Sequence, residues 1–274
     1  MPLNNKVAVV TGATGVLCSA MVEALLAAGA KVALLARRAA VAEELKVALA
    51  AKGYDQTLVV AADVLDRPAL IAARETILKT WGRLDILVNG AGGNDPKGTT
   101  PAEQFTADTA REQSFFGLDL AGFEAVNRLN FMGTLLPSQV FTEAMLETGG
   151  SVVNISSVAA TQPLTKVGAY AAAKAAVDNH TKWLATHLAP RNIRVNAITP
   201  GFFITSQNRY LLLEKDEVTP TARGKKVIAK TPMRRYGEAK ELGGALVFLA
   251  SDAASFVTGA NLAVDGGFTS FAGV

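Results

Sequence analysis

The sequence predicts an α/β protein built on one doubly wound parallel sheet, and three observations support that prediction. Short apolar runs rich in β-branched residues alternate with longer amphipathic runs along the chain. The first apolar run ends in a glycine turn, TGATG at 11–15, and a helical pattern follows at once. The apolar runs are nearly continuous, as expected of parallel strands that helices cover on both faces.

The first ninety residues alternate regularly between the two kinds of element. The predicted strands and helices are residues 6–11 (strand), 16–28 (helix), 31–36 (strand), 41–52 (helix), 57–61 (strand), 67–81 (helix) and 84–89 (strand). Pro68 suits the first turn of the third helix, where its missing N–H is not needed. Because crossovers between parallel strands are right-handed, this order produces a doubly wound sheet.

The second half continues the alternation with two long interruptions. The predicted elements are residues 120–147 (helix), 151–155 (strand), 167–189 (an alanine-rich helix), 193–199 (strand), 238–250 (helix) and 261–264 (strand). Residues 90–118 and 205–230 are too long for ordinary loops, and loops of this length are usually functional. Segment 90–118 leaves the carboxyl end of the fourth strand, where ligands bind in such sheets. We therefore expect both segments to be substrate loops of one domain, residues 1–274.

Composition excludes several classes of function. The 274 residues carry a net charge of +3, and the basic residues occur as scattered pairs, which gives little support to nucleic-acid or membrane-surface binding. One cysteine allows no internal disulfide and fits a reducing cytoplasm. The first strand is predicted so early that no signal peptide is expected. No apolar run approaches the ~18 residues of a membrane span, and no metal site is predicted.

Tyr170 and Lys174 are the strongest candidates for catalysis. They are four residues apart in the alanine-rich helix, so their side chains share one helical face. A phenol has a pKa of about 10. An ammonium about 4 Å away stabilises the phenolate by roughly 4 kcal/mol at an effective dielectric of about 20, which lowers that pKa by up to about 3. Ser157 follows the preceding strand, where its hydroxyl can point into a cleft. The three residues suit general acid–base catalysis near neutral pH.

These residues belong to a set of motifs that resembles the short-chain dehydrogenase/reductase family over essentially the whole chain. The set comprises, in order, TGATG at 11–15, Asp63-Val64, VNGAG at 88–92, Asn130, Ser157, YAAAK at 170–174, PGFFIT at 200–205 and VDGG at 264–267. The resemblance implies a Rossmann-type, NAD(P)-dependent oxidoreductase. It implies that Tyr170 exchanges a proton, that Ser157 hydrogen-bonds the substrate oxygen, and that Lys174 lowers the pKa of Tyr170 and binds the nicotinamide ribose. It also implies that Asn130 holds a water in the proton path to the lysine.

The same resemblance implies a set of cofactor-binding residues. They are Gly12, Thr14, Gly15, Val16, Leu17, Arg37, Arg38, Asp63, Val64, Asn89, Gly90, Ala91, Tyr170, Lys174, Pro200, Gly201, Phe203 and Thr205. In such proteins an aspartate at the position of Asp63 contacts the adenine, and Thr205 is expected to contact the nicotinamide carboxamide. The sequence departs from the family where Val16 and Cys18 replace glycines and where Gly90 replaces a commoner asparagine. We expect Gly15 to supply the permissive backbone instead, and Cys18 to pack rather than to react.

The end of the second strand favours NADP(H) over NAD(H). An acidic residue at this place would bind the adenine-ribose diol and repel a 2′-phosphate. This chain has Ala36 there, followed by Arg37 and Arg38. Because guanidinium groups bind phosphate through paired hydrogen bonds, the two arginines indicate a phosphorylated ribose.

The segments 90–100 and 200–213 resemble a subgroup of the family that acts on sugar acids. They are most similar to the D-mannonate oxidoreductases (fructuronate reductases), with the gluconate 5-dehydrogenases second. A sugar acid needs cations for its carboxylate and hydrogen-bonding partners for its hydroxyls. The candidates for charge are Lys97, Lys166 and Arg209, and those for hydrogen bonds are Asn94, Gln162, Gln207 and Asn208.

Two other functions stay open at this point, together with the state of assembly. Phe202, Phe203 and the pair Phe115-Phe116 could line an apolar pocket, which indicates a reductase of apolar ketones or 3-oxoacyl thioesters. A non-catalytic NADP-binding scaffold is the third reading, and the complete catalytic set argues against it. The resemblance implies a homotetramer or homodimer through the alanine-rich helix and the helix before it, with a second interface at the last strand and residues 268–274.

Overall fold

The structure, a computed structural model, describes residues 2–206 and 208–273, and in them seven parallel strands form one sheet in the order β3-β2-β1-β4-β5-β6-β7. The strands are β1 (Val7–Thr11), β2 (Lys31–Ala36), β3 (Thr57–Ala61), β4 (Ile86–Asn89), β5 (Gly150–Ile155), β6 (Ile193–Pro200) and β7 (Asn261–Val264). All six strand pairs are parallel. The predicted doubly wound sheet in a single domain is confirmed.

Helices cover both faces of the sheet. They are α1 (Val16–Ala27), α2 (Ala39–Ala50), α3 (Arg67–Trp81), α4 (Leu120–Asn127), α5 (Gly133–Thr142), α6 (Gly168–Leu188), α7 (Arg209–Leu212), α8 (Ala222–Lys230) and α9 (Glu241–Ala250). One buried cluster joins the sheet to α1 and α9, and a second joins it to α3, α5 and α6. Along β1, Ala8 and Val10 enter the first cluster, and Val7 and Val9 the second, because alternate residues of a strand point to opposite faces.

The predicted helix at 120–147 is interrupted. A π-helical segment, Arg128–Met132, separates α4 from α5, and it carries Asn130. The carbonyl of Val126, four residues earlier, accepts a hydrogen bond from the Asn130 side-chain amide at 2.8 Å. Such wide turns occur mostly as single insertions, frequently at functional sites. The interruption was not visible in the apolar pattern, which runs through it.

The two long segments also differ from the prediction. Residues 94–118 contain three short 3₁₀ turns, whereas residues 205–230, expected to be a polar loop, contain α7 and α8. Thr221 caps α8 by accepting the N–H of Gly224, and Val227 is buried beneath the helix.

The connectivity places a crevice at the carboxyl ends of β1 and β4. These strands are neighbours, with Thr11 opposite Asn89, although β2 and β3 lie on one side of β1 and the later strands on the other. At such a point the loops leave in opposite directions, and ligands bind in the opening. Among the described residues, no helix is both long and apolar enough to cross a lipid bilayer.

Candidate active site

A cavity of about 300 Å³ occupies this crevice. The glycine turn before α1, the end of β2 and the turn after β4 line it. The predicted cofactor residues that line it are Gly12, Thr14, Gly15, Val16, Leu17, Arg37, Arg38, Val64, Gly90, Ala91, Tyr170, Lys174 and Thr205. The structure therefore brings together, around one opening, residues that are up to 193 positions apart in the chain.

Gly12, not Gly15, supplies the unusual backbone of the turn. Gly12 has φ +65°, and a Cβ there would lie 2.9 Å from the Cα of Ala91. Gly15 is extended, with φ −71°, and precedes the first turn of α1. The expectation for Gly15 was wrong because the left-handed residue is Gly12, directly after β1. With this bare backbone and a helix N-terminus side by side, the turn fits a pyrophosphate.

Five of the predicted cofactor residues do not line this cavity. The amide of Asn89 points into the sheet and donates to Ser138 Oγ and Asn154 Oδ1, both at 2.8 Å. The carboxylate of Asp63 accepts the N–H of Leu65 within its own loop. The other three residues, Pro200, Gly201 and Phe203, line an adjoining cavity instead. For Asp63 and Asn89 the next residues in sequence, Val64 and Gly90, line the cavity instead. There the motif located the loop but not the side chain that faces the opening.

Cys18 explains why Gly90 carries no side chain. A Cβ on Gly90 would lie 2.3 Å from Cys18 Sγ and 3.0 Å from the carbonyl of Thr11. The thiol is buried, 3.6 Å from the carbonyl oxygen of Gly90, and burial raises its pKa to about 12. A neutral buried thiol of this kind acts as a small packing group. The departures from the family pattern at Cys18 and Gly90 thus form one compensated pair, because the sulfur fills the space beside a bare glycine.

We expect Gly90→Ala to destabilise the fold by about 1–3 kcal/mol, because the added methyl overpacks a site that Cys18 already fills. In Cys18→Ala/Gly90→Ala the sulfur is absent, and most of that loss should be recovered. Urea unfolding of the wild type, Gly90→Ala, Cys18→Ala and the double variant gives the coupling free energy between the two positions. Gly244→Ala is the matched control, since nothing lies within 4 Å of its new Cβ. Additive effects of the two substitutions would contradict the pairing.

Ser157 and Lys174 both lie next to Tyr170, which lines the cavity. Ser157 begins the turn after β5, accepts the N–H of Ala159 at 3.1 Å and hydrogen-bonds the Tyr170 hydroxyl. Lys174 lies one helical turn after Tyr170, with its Nζ 5.6 Å from the centroid of the phenol ring. The same Nζ donates to the carbonyl oxygen of Ile155 at 2.7 Å. The helical spacing read from the sequence therefore does place the amine beside the phenol.

Burial, not the lysine charge, dominates the electrostatics of the phenol in the protein alone. Desolvation raises the pKa of Tyr170, and the hydrogen bond from Ser157 opposes that rise. Desolvation also lowers the pKa of Lys174 to about 8, although the negative charge of Asp178 opposes this shift. The expected lowering of the phenol pKa is not seen here, because the Coulomb argument left out the cost of removing charge from water.

Asn130 fixes the backbone on the other side of the lysine. It is fully buried, its Oδ1 accepts the N–H of Gly93 at 3.1 Å, and its Nδ2 donates to the carbonyl of Gly93 at 2.7 Å. A Cβ on Gly92 would lie 2.6 Å from that Oδ1 and 3.5 Å from Lys174 Nζ. The π-helical segment thus holds the turn after β4 close to the amine.

A second cavity, of about 200 Å³, adjoins the first and is called the substrate cavity below. Leu17, Ile155, Tyr170 and Thr205 line both cavities, and Ser157 lines the second. Of the predicted substrate residues, Asn94 and Asn208 line it. Phe202 and Phe203 line it too, whereas Phe115 and Phe116 are exposed on segment 94–118.

The remaining substrate candidates lie elsewhere. Lys97, Gln162, Lys166 and Arg209 line neither cavity, and Gln207 lies outside the described residues. Lys97 is exposed beside Asp95, and Arg209 is paired with Glu217 at 2.9 Å. Arg223 of α8, which was not among the predicted substrate residues, also lines the substrate cavity. Its signal was the charged, amphipathic run of residues 222–230, which was interpreted as a loop.

The fold and the two adjoining cavities define an NAD(P)-binding oxidoreductase of the Rossmann type. Residues 12–269 match a family model described as "Enoyl-(Acyl carrier protein) reductase". The uncharacterized oxidoreductase UxuB of Bacillus subtilis (strain 168) is 47% identical over 274 residues, which cover 99% of this chain and 98% of that protein. This chain belongs to the short-chain dehydrogenase/reductase family, as its motifs indicated.

Two solved structures resemble this one over nearly all of both chains. A Haemophilus influenza protein, provisionally assigned as a D-mannonate oxidoreductase and crystallised with NAD, has a TM-score of 0.94 and 42% identity and covers 100% and 98% of the two chains. A gluconate 5-dehydrogenase from Burkholderia cenocepacia J2315, in complex with NADP and tartrate, has a TM-score of 0.84 and 30% identity and covers 98% and 97%. The chain is thus an enzyme that acts on alcohol and ketone groups. The non-catalytic scaffold is excluded.

Proposed function

We propose that this enzyme interconverts a ketone and a secondary alcohol of a small sugar acid with NADP(H), for example D-mannonate and D-fructuronate, or gluconate. The observation that carries the proposal is the position of Tyr170. It lines the substrate cavity and also the cavity of about 300 Å³ beside the glycine turn, called the dinucleotide cavity below. A group that exchanges a proton with substrate beside a bound nicotinamide must occupy such a place. Ser157 and Lys174 accompany it at the same junction.

The mechanism moves one proton at the Tyr170 hydroxyl. In reduction the phenol donates its proton to the oxygen formed from the carbonyl, and in oxidation the phenolate accepts the alcohol proton. Burial raises the pKa of Tyr170, which keeps the phenol protonated at neutral pH, as reduction requires. Ser157 hydrogen-bonds the same substrate oxygen and stabilises its developing negative charge. When bound, the nicotinamide supplies or accepts the hydride.

Lys174 and Asn130 support this proton transfer. Because its pKa is about 8, Lys174 is an ammonium at neutral pH, held by the carbonyl of Ile155 next to the phenol, and it would bind the ribose of the cofactor. Asn130 clamps Gly93 and so keeps the turn after β4 in place beside the amine. We also propose that Asn130 holds a water in the proton path to Lys174.

Arg37 and Arg38 support NADP(H) as the cofactor. Both are exposed at the end of β2 and line the dinucleotide cavity next to the buried Ala36. The lining there contains no carboxylate among the described residues that would bind an unmodified ribose or repel a phosphate. The two solved relatives differ in their bound cofactor, since the Haemophilus protein holds NAD and the Burkholderia protein holds NADP.

The cofactor proposal predicts a higher kcat/KM with NADP than with NAD. Replacing both Arg37 and Arg38 by glutamine should lower kcat/KM for NADP by about 10- to 100-fold, because charge-assisted hydrogen bonds to the 2′-phosphate are lost. The value for NAD should hardly change. Arg67→Gln removes one positive charge at an exposed position away from the cavity and serves as the control. A wild type that prefers NAD would overturn the assignment.

The substrate proposal rests on the size of the cavity and on its polar groups. At about 200 Å³ the cavity is smaller than the about 300–1,000 Å³ of typical ligand pockets, so the substrate is small. Asn94 and Asn208 line it together with Ser157 and Tyr170. The similar proteins named above, a D-mannonate oxidoreductase by provisional assignment and a gluconate 5-dehydrogenase, are consistent with a sugar acid.

One observation favours the alternative, a reductase of apolar ketones or 3-oxoacyl thioesters. Phe202 and Phe203 line the substrate cavity together with Leu211 and Leu212. Initial rates with D-mannonate, gluconate and an acetoacetyl thioester, each with both cofactors, test the proposal. We expect turnover of at least one sugar acid. Turnover of the thioester alone would establish the alternative.

We also propose a homotetramer or homodimer in a reducing cytoplasm. Trp183 on α6 is 57% exposed, and its ring stacks on His187 with a centroid distance of 5.0 Å. Because aromatic residues are enriched in the contacts between chains, this face of α6 supports the assembly that the family resemblance implies. The single cysteine, Cys18, is buried and unpaired, which fits a reducing compartment.

A further inference from the structure

The substrate cavity contains one charged side chain among the described residues that line it. Apolar groups such as Leu164, Val167 and Leu212 form most of the wall, and Arg223 reaches it from α8. An arginine at the edge of an apolar wall has lost part of its hydration, and such a charge normally has an anionic partner. The identity of that partner bears on which molecules the enzyme accepts.

Arg223 is held in a defined orientation by two other segments. Its Nη1 donates to Thr165 Oγ1 at 2.8 Å, and its Nη2 donates to the carbonyl of Thr165 at 3.1 Å. Nη1 also donates to Glu103 Oε1 at 3.2 Å. The side chain is only 17% exposed. The turn after β5 and segment 94–118 thus fix the guanidinium against the cavity, which removes the entropy cost of ordering it when a ligand binds.

The local charge is not balanced by Glu103. The same carboxylate also accepts a hydrogen bond from Lys226 Nζ at 3.0 Å, so two cations share one anion. The hydrogen bond from Lys226 is the main cause that lowers the pKa of Glu103, so the carboxylate is ionised at neutral pH. The three side chains carry one net positive charge. In the part of the chain that the structure describes, the contacts of Arg223 use three of its five N–H donors.

A second polar group in the cavity also awaits a partner. Asn94 Oδ1 is buried and has no hydrogen-bond partner among the described residues. Asn94 lines the substrate cavity with Arg223. A buried amide oxygen without a partner is costly, and a ligand hydroxyl would satisfy it. The cavity therefore offers a cation for an anionic group and an acceptor for a hydroxyl.

We propose that Arg223 binds the carboxylate of the substrate and selects hydroxy acids over uncharged alcohols of the same skeleton. This inference rests on the proposed function, because it assigns a group of the sugar acid to a residue. The guanidinium suits a planar carboxylate, with which it forms two parallel hydrogen bonds. Asn94 accepts a hydrogen bond from a hydroxyl of the same molecule, while Ser157 and Tyr170 hold the reacting oxygen.

The test compares two ligands of the same carbon skeleton, one with a carboxylate where the other has an uncharged hydroxymethyl group. Binding of D-mannonate and of D-mannitol in the presence of the reduced cofactor, where no hydride transfer takes place, is measured by calorimetry. Arg223→Gln should weaken D-mannonate binding by about 10- to 100-fold and leave D-mannitol binding unchanged. Arg223→Lys should fall between the wild type and the glutamine variant. In steady-state assays the loss should appear in KM more than in kcat.

Two further variants distinguish a role of Arg223 in ligand binding from a purely structural role. Lys225→Gln removes the same charge from the same helix at an exposed position, and it should have no effect. Glu103→Gln removes the competing anion but keeps Arg223, so D-mannonate should bind as well as before or more tightly. If Glu103→Gln weakens D-mannonate as much as Arg223→Gln does, or if Arg223→Gln weakens both ligands equally, the inference is overturned.

Acetoacetate, a small keto acid without hydroxyls, separates this inference from the proposed substrate class. It is tested with the oxidised cofactor on the wild type and Arg223→Gln. If the wild type binds acetoacetate through Arg223 but no sugar acid, the proposed substrate is wrong and the carboxylate contact stands. If the wild type binds sugar acids that are unaffected by Arg223→Gln, the proposed function stands and the contact is wrong. Binding of neither acid overturns both.

Discussion

Tyr170→Phe is expected to lower kcat by about 10²- to 10⁴-fold, the usual contribution of a positioned general acid or base. The substitution removes the hydroxyl that hydrogen-bonds Ser157 and keeps the ring that lines both cavities. Dinucleotide affinity should therefore change by less than about threefold, since one interaction outside the phosphate turn is altered. Fluorescence titration with the reduced cofactor and steady-state assays of the same preparation measure the two quantities.

The control for this prediction is a tyrosine that lines neither cavity. Tyr210 in α7 is 60% exposed, and Tyr210→Phe should keep wild-type turnover. Ser157→Ala should retain more activity than Tyr170→Phe, because the phenol can still donate its proton. Turnover near the wild-type rate in Tyr170→Phe would remove the tyrosine from the mechanism, although the family assignment would stand.

The second large effect is on stability and follows from the buried amine. Burial lowers the pKa of Lys174 from 10.5 to about 8 in the folded protein. Below about pH 8 both the folded and the unfolded chain carry the charge, and folding bears the cost of burying it. Between about pH 8 and about pH 10.5 the unfolded chain binds more protons. The free energy of unfolding should therefore rise with pH across this interval.

Lys174→Met removes this titration and keeps most of the side-chain volume. The unfolding free energy of the wild type, minus that of the variant, should be constant below about pH 8 and increase towards about pH 10.5. The increase should reach about 3 kcal/mol at up to about 1.4 kcal/mol per pH unit. Urea unfolding followed by circular dichroism at a series of pH values measures it. Other groups that titrate at high pH cancel in the difference.

Lys182→Met is the matched control for this experiment. Lys182 lies on the same helix, two turns further on, and its side chain is exposed. The unfolding free energy of Lys182→Met should follow that of the wild type at every pH. A pH-independent difference between the wild type and Lys174→Met would show that the amine titrates alike in the folded and unfolded states, contrary to its burial.

Local sequence patterns predicted most of the fold. The bounds of β2, β3 and α3 agree with the predicted ones, because apolar runs covered on both faces leave little freedom in where a strand lies. The patterns failed where contacts with residues far away in the chain determine the local structure. The π-helical segment Arg128–Met132 forms where Asn130 reaches Gly93, and no helical periodicity records that contact. The helix α8 was missed because its charged face is paired with Glu103, far away in the chain.

The motifs predicted the candidate site in part. Spacing alone placed Tyr170 and Lys174 on one helical face, and the structure has them there. Among the cofactor residues, the motif identified the loop correctly but not always the side chain that faces the opening. Asn89 is the clearest example, since its amide turns into the sheet to satisfy Asn154. A buried amide follows its hydrogen-bond partners, which a motif does not contain.

The sequence by itself determined the class of this protein: a parallel sheet with a glycine turn after β1, and a tyrosine and a lysine on one turn of α6. These features depend on residues close together in the chain, so periodicity and spacing are sufficient to find them. Only the tertiary structure decided that burial raises the pKa of Tyr170, that Cys18 fills the space beside Gly90 and that Arg223 is the cation of the substrate cavity. Desolvation and contacts between distant segments depend on how the whole chain packs, and no local pattern carries that information.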